Sequence, residues 1–174
     1  MTTVARGRRL ASPVRLALAP ELGAPLDGAW WPHSASIARE LPELVDALAG
    51  RLGNVLAISV NWSSLESSPD LDALNCPTKG DHGRVCGHQR LMMITGSRAS
   101  ATLLVIPSRT SAVLAKMVLR KTAGLFIMPT ERETREFQTS DVIMHAAFAE
   151  SRLCGQRLQG PELAAAAVDP AMTR

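Results

Sequence analysis

An α+β domain, with a mainly antiparallel sheet and two or three helices covering one of its faces, is the fold class that the sequence predicts. Three observations carry this. Short segments alternate apolar and polar residues, an apolar stripe of helical spacing spans residues 37–52, and Gly96-Ser97-Arg98 joins two strand-like runs as a hairpin turn does. The alternative is an open mixed sheet with a βαβ crossover between residues 14 and 62. A length of 174 residues suits one domain with a core of its own. The expected organisation is a basic arm at 1–13, the domain at 14–154 and a low-information tail at 155–174.

Taken in order, residues 14–19 alternate up to Pro20 and predict a short strand. A loop follows through Gly23, Pro25 and Gly28. Ile37, Leu41, Leu44, Val45, Leu48 and Leu52 then mark one face of a helix, with Ser34 or Ser36 as N-cap, Gly53 at its end, and Pro42 bending or dividing it. Residues 54–62 predict a strand whose core face is Leu56, Ile58, Val60 and Trp62. The polar stretch 63–83 has the composition of a long loop. Strands are expected at 84–96 and 101–107, and a helix at 110–122 carries Val113, Leu114, Met117 and Val118, with Gly124 closing it. Residues 125–129 suit another short strand. Thr130 and Glu133 have capping-box spacing before a third helix that runs to about Leu153 and packs at an edge or on a partner.

The composition, 46% hydrophobic and 20% charged, excludes a disordered chain, a collagen and a coiled-coil rod. The net charge of +3 is concentrated in Arg6, Arg8, Arg9 and Arg15; the rest of the chain carries one more acid than base. A nucleic-acid contact through that arm is therefore a weak case, because binding domains spread positive charge over a folded face. No apolar run is long enough to span a membrane, and no signal peptide is read at the start. An odd number of cysteines, Cys76, Cys86 and Cys154, suits reduced thiols and a cytoplasmic location.

The densest unusual segment runs from Leu26 to Ser34 and holds Asp27, Trp30, Trp31 and His33 immediately before a helix. Adjacent tryptophans in extended backbone point to opposite sides, so one plugs the core while the other is left to offer its ring and N–H to a ligand. Asp27 would supply charge there, and the amides at the helix start would receive an anion. With Asn61 and Trp62 at the end of the neighbouring strand, these residues form the expected ligand-binding set.

The segment Leu26-Asp27-Gly28-Ala29-Trp30-Trp31-Pro32 also resembles an actinobacterial family of uncharacterised single-domain proteins, a domain of unknown function marked by an Asp-Gly-Ala-Trp-Trp-Pro motif. Leu16-Ala-Leu18-Ala-Pro20, Glu40-Leu41-Pro42-x-Leu44-Val45, Gly53, Asn61, Thr95-Gly96 and Leu103-Leu104-Val105-Ile106-Pro107 follow the same pattern, over roughly residues 14–124. The resemblance implies a shared fold and no reaction. At His33, where relatives usually carry arginine, this chain departs from the pattern.

Cys76, Asp81, His82, Cys86 and His88 are zinc-ligand types within 13 residues, but their spacing fits no standard finger or ribbon, so no metal or other cofactor is expected. Phosphate-loop, nucleophile-elbow and zincin motifs are missing, and no catalytic residue is assigned. The expected function is a non-enzymatic binding or regulatory module that takes a small anionic ligand or a protein partner. The alternatives are a small enzyme using His33 and Asp27 as an acid–base pair, and a zinc-binding protein through residues 76–88.

Overall fold

The structure is a computed structural model of the chain, and it describes residues 13–62 and 89–165, with residues 156–165 described by their backbone only. Among these residues the elements run β1 (Leu16–Leu18), β2 (Gly28–Trp30), α1 (Ile37–Leu52), β3 (Val55–Val60), β4 (Leu91–Gly96), β5 (Ser100–Val105), α2 (Ala112–Thr122), a 3-10 turn (Pro129–Glu133) and α3 (Arg135–Ala165). The strands form one sheet in the order β1-β2-β5-β4-β3. Its pairings are antiparallel except that of β2 with β5. The fold is thus α+β on a mostly antiparallel sheet. The alternative, a βαβ crossover between residues 14 and 62, is present in part: α1 joins β2, not the first strand, to β3, which runs in the same direction with β5 and β4 between them.

β2 lies inside what the sequence presents as a loop. Three residues flanked by Pro25 and Pro32 are too short for periodicity to register, and the strand exists through its pairing with β1 and β5 on either side. Gly28 makes that fit possible: a Cβ there would lie 2.2 Å from the Ala17 carbonyl oxygen. The hairpin of β4 and β5 forms as its turn residues predict, with Gly96 N–H donating to Ala99 O at 2.9 Å. Gly96 also sits so close to α1 that a Cβ would meet the Leu52 carbonyl oxygen at 2.2 Å.

Helices cover both faces of the sheet, not one. On one face Leu44, Leu48 and Leu52 of α1 pack on Trp30, Met92, Ile94, Leu103 and Val105. On the other, Leu114 and Val118 of α2 and Ile143 and Ala147 of α3 enclose Ala29, Trp31, Leu104 and Ile106. β2 and β5 are covered on both sides, so their residues alternate between two cores instead of between core and solvent. α3 accordingly packs on α2 and over β4, where an edge or partner position was expected.

The ends of the elements differ from expectation in physical detail. α1 is one helix with Pro42 inside it, and Ser36 at the cap position makes no side-chain capping bond. In β3 the register with β4 shifts between Val55 and Ala57. The extra residue, Leu56, is 70% exposed, while Val55, Ile58 and Trp62 pack towards α1. Val60, also expected in the core, is exposed, as is Val113 of α2. Residues 125–128 take no regular structure. The reciprocal capping pair is Met128 with Glu131, not Thr130 with Glu133, and Thr134 Oγ1 accepts the Phe137 N–H at 3.3 Å. α3 continues to Ala165, beyond Gly155 where the domain was expected to end.

Candidate functional site

The Asp27–His33 segment is assembled from its backbone outwards. Asp27 is buried, and its Oδ1 accepts the amides of Gly23 (2.7 Å) and Ala24 (2.9 Å) while its Oδ2 accepts that of Thr102 (2.8 Å). The carboxylate therefore ties the turn before β2 to β5. Trp30 is 1% exposed and Trp31 7% exposed, on opposite faces of the sheet. Arg15 lies on the Trp31 ring, 3.6 Å from its centroid, and donates to Trp31 O (3.0 Å) and Pro32 O (2.5 Å).

His33 is exposed, and its Nε2 is 3.2 Å from Pro13 O. Its backbone amide donates to Glu40 Oε2 at 2.7 Å, and the Ser34 amide and hydroxyl both donate to Oε1 at 2.7 Å. Partial burial pushes the Glu40 carboxyl up, but these hydrogen bonds outweigh it and hold the group below its ordinary range. The amides expected to receive an anion just ahead of α1 thus already face a carboxylate of the chain.

Asn61 sits at the end of β3, where its Nδ2 donates to Gln89 O (2.8 Å) and Glu150 Oε1 (3.4 Å) and its Oδ1 accepts the Leu91 amide (2.7 Å). It borders a cavity of about 270 Å³ with Ser59, Thr102, Ser151 and Cys154. Trp62 packs towards α1, with the Arg90 guanidinium 5.5 Å from its ring centroid. The six expected residues are therefore dispersed. Trp30 and Trp62 border one core, Trp31 the other, and Asp27 and His33 lie beyond opposite ends of β2.

A surface that the sequence did not single out is better formed. Leu125, Phe126 and Ile127 line, with the first half of α3, an open groove of about 580 Å³. Phe126, Phe137 and Phe148, the chain's three phenylalanines, all line it. Phe126 is 74% exposed and Leu125 and Met128 are 55% exposed, whereas Ile127 is buried beneath them. Four consecutive apolar residues between Gly124 and Pro129 were the available signal. A strand and a surface patch share that signal, and only the lack of a pairing strand separates them.

The charges around this groove are mostly neutralised. Lys121 Nζ bonds Asp141 Oδ1 (2.5 Å) and Phe137 O (3.0 Å) and lies 3.4 Å from the Phe137 ring centroid. Arg120 bonds Glu131 Oε1 (2.7 Å) and Phe126 O (2.5 Å). The Arg120 guanidinium and the Met128 amide hold the Glu131 carboxyl below its ordinary range. Arg132 is exposed at the groove and has no partner among the described residues.

Among the described residues no three His, Cys, Asp or Glu side chains are grouped to hold a metal ion. Cys76, Asp81, His82, Cys86 and His88 lie outside the described residues. No helix among the described residues is long and apolar enough to cross a membrane.

No curated protein matches the chain, and no solved structure does. Residues 15–122, more than half of the chain, match the model of a family described as Family of unknown function (DUF5994), and the chain belongs to that family. The match spans the sheet, α1 and α2, and it ends where the phenylalanine groove begins.

Proposed function

We propose that the chain is a non-enzymatic binding module whose contact surface is the groove between α3 and residues 125–127. The exposure of Phe126 and Leu125 in a groove lined by every phenylalanine of the chain, with exposed Met128 two residues further along, carries this reading. Large apolar side chains clustered in solvent cost free energy unless something covers them, and such patches mark interaction sites. In this reading the Asp27–His33 segment is the scaffold of the sheet: its rings fill two cores and its carboxylate accepts three backbone amides. The acid–base alternative draws no support, since neither His33 nor Asp27 has the other among its hydrogen-bond partners. A cytoplasmic setting belongs to the same proposal on the odd number of cysteines, and an actinobacterial source on the motif at residues 27–32.

An apolar fluorescent dye tests the surface. The native chain is expected to bind it, and a Leu125→Ser/Phe126→Ser variant is expected to lose that binding while unfolding as cooperatively as the wild type. Dye binding that is absent, or unchanged in the variant, overturns the reading.

A further inference from the structure

We infer that the occupant of the groove is an amphipathic α-helix of about three turns, with large apolar side chains on one face and an acidic residue placed to meet Arg132. The inference rests on the groove being the contact surface, and it adds the chemistry of the partner.

Length comes from α3. Phe137, Asp141, Met144, His145 and Phe148 line the groove at spacings of three and four residues, which is one stripe of the helix. From Phe137 to Phe148 the stripe advances about 16 Å, or three turns. A partner lying along it meets anchor positions one turn apart.

Helical rather than extended backbone follows from the hydrogen bonds of the opposite wall. The Leu125 amide donates to Arg120 O, the Met128 amide donates to Glu131 Oε2, and Phe126 O accepts from Arg120. These three groups are already taken, so an added strand would find a ladder interrupted at both ends of the segment. A helix satisfies its own backbone and brings only side chains to the contact.

Charge sets the partner's sign. Lys121 with Asp141 and Arg120 with Glu131 are paired within the chain, which leaves Arg132, among the described residues, as the uncompensated charge lining the groove. An acidic group in the occupant complements it. Size favours a short helix over a second copy, because the exposed apolar surface here is made by three side chains, Leu125, Phe126 and Met128, whereas a stable dimer buries roughly 800 Å² per partner.

The test uses the full chain and three labelled synthetic helical peptides of roughly 12 residues. One carries leucine or phenylalanine at successive turns with a glutamate flank, the second carries the same anchors with a lysine flank, and the third has alanine at the anchors. Fluorescence anisotropy is expected to show the glutamate peptide binding about five-fold more tightly than the lysine peptide, the scale of one surface ion pair. The alanine peptide is expected not to bind, Arg132→Glu to reverse the preference, and the glutamate peptide to gain helical circular dichroism in the complex. If the apolar dye binds the groove but neither anchored peptide does, or if both bind equally, the occupant is wrong and the surface stands. If dye and peptides both fail, the surface itself is wrong. A dimer in sedimentation that disappears in the Leu125→Ser/Phe126→Ser variant would assign the groove to a second copy and overturn the helix.

Discussion

Trp30 and Trp31 are adjacent in the chain and belong to different cores, one under α1 and the other under α2 and α3. The alternation of β2, which ends at Trp30, carries over to the next residue and sends the two rings to opposite faces of the sheet. Their surroundings also differ. Trp31 Nε1 is buried without a hydrogen-bond partner, while its ring carries the Arg15 guanidinium.

Trp31→Phe removes that unpaired donor together with part of the ring, so two effects of opposite sign partly cancel. Trp31→Phe is expected to cost under about 1 kcal/mol, against about 2 kcal/mol for Trp30→Phe, where lost packing acts alone. Denaturant unfolding of the two variants measures the difference, and equal losses would show that the orphan donor carries no penalty.

Gly28→Ala tests the close approach of β2 to β1. The new Cβ would lie 2.2 Å from Ala17 O, and backbone on a paired strand has little room to retreat. A loss of about 2–3 kcal/mol is expected, in the range of overpacked cores. A melting temperature within a degree or two of the wild type would contradict the pairing of β1 with β2.

Asp27→Ala leaves the amides of Gly23, Ala24 and Thr102 without their acceptor and is expected to cost about 3 kcal/mol. Asp27→Asn is expected to destabilise as well, because both carboxylate oxygens accept and one would become a donor facing an N–H. If Asn restored full stability, one of these bonds would be dispensable.

Glu40→Gln removes a carboxylate whose folded pKa lies below its unfolded value, since the bonds from His33 and Ser34 outweigh partial burial. A depressed carboxylate stabilises fully above its unfolded pKa, near 4.3, and loses that contribution as pH falls through the lower folded value. The variant should therefore be less stable than the wild type at pH 7, by about 1 kcal/mol or less for a solvent-screened cap of this kind. The gap should close in acid. Thermal melts between pH 7 and pH 3 check the sign, and a gap that widens on acidification would refute it.

Asn61→Ala removes both sides of the clamp on Gln89 O and the Leu91 amide and is expected to cost about 1–2 kcal/mol. Hydrogen exchange at the Leu91 amide should accelerate more than at Leu104, in the central strand β5. Unchanged exchange at Leu91 would show that the β3–β4 ladder holds without Asn61.

Local periodicity and turn chemistry determined α1, the β4–β5 hairpin and the α2 stripe, because a helix repeat or a Gly-Ser-Arg turn is written within a few residues. The segment around Asp27, Trp30 and Trp31 also stood out as exceptional, since rare residues gather there. Tertiary structure alone decided what they do. β2 is three residues long and exists because β1 and β5 flank it, and that placement buries both tryptophans and engages Asp27. The register shift at Leu56 depends on Thr95 and Gly96 of β4, far along the chain, so strict alternation put Leu56 in a core from which the sheet expels it. Phe126, Phe137 and Phe148 are 11 residues apart in the sequence, too far for a short local window to join them. Three turns of α3 bring Phe137 and Phe148 onto one stripe, and the chain reversal through the 3-10 turn lays Phe126 beside them. Burial and assembly of this kind depend on contacts distant in sequence, and no window of local pattern contains them.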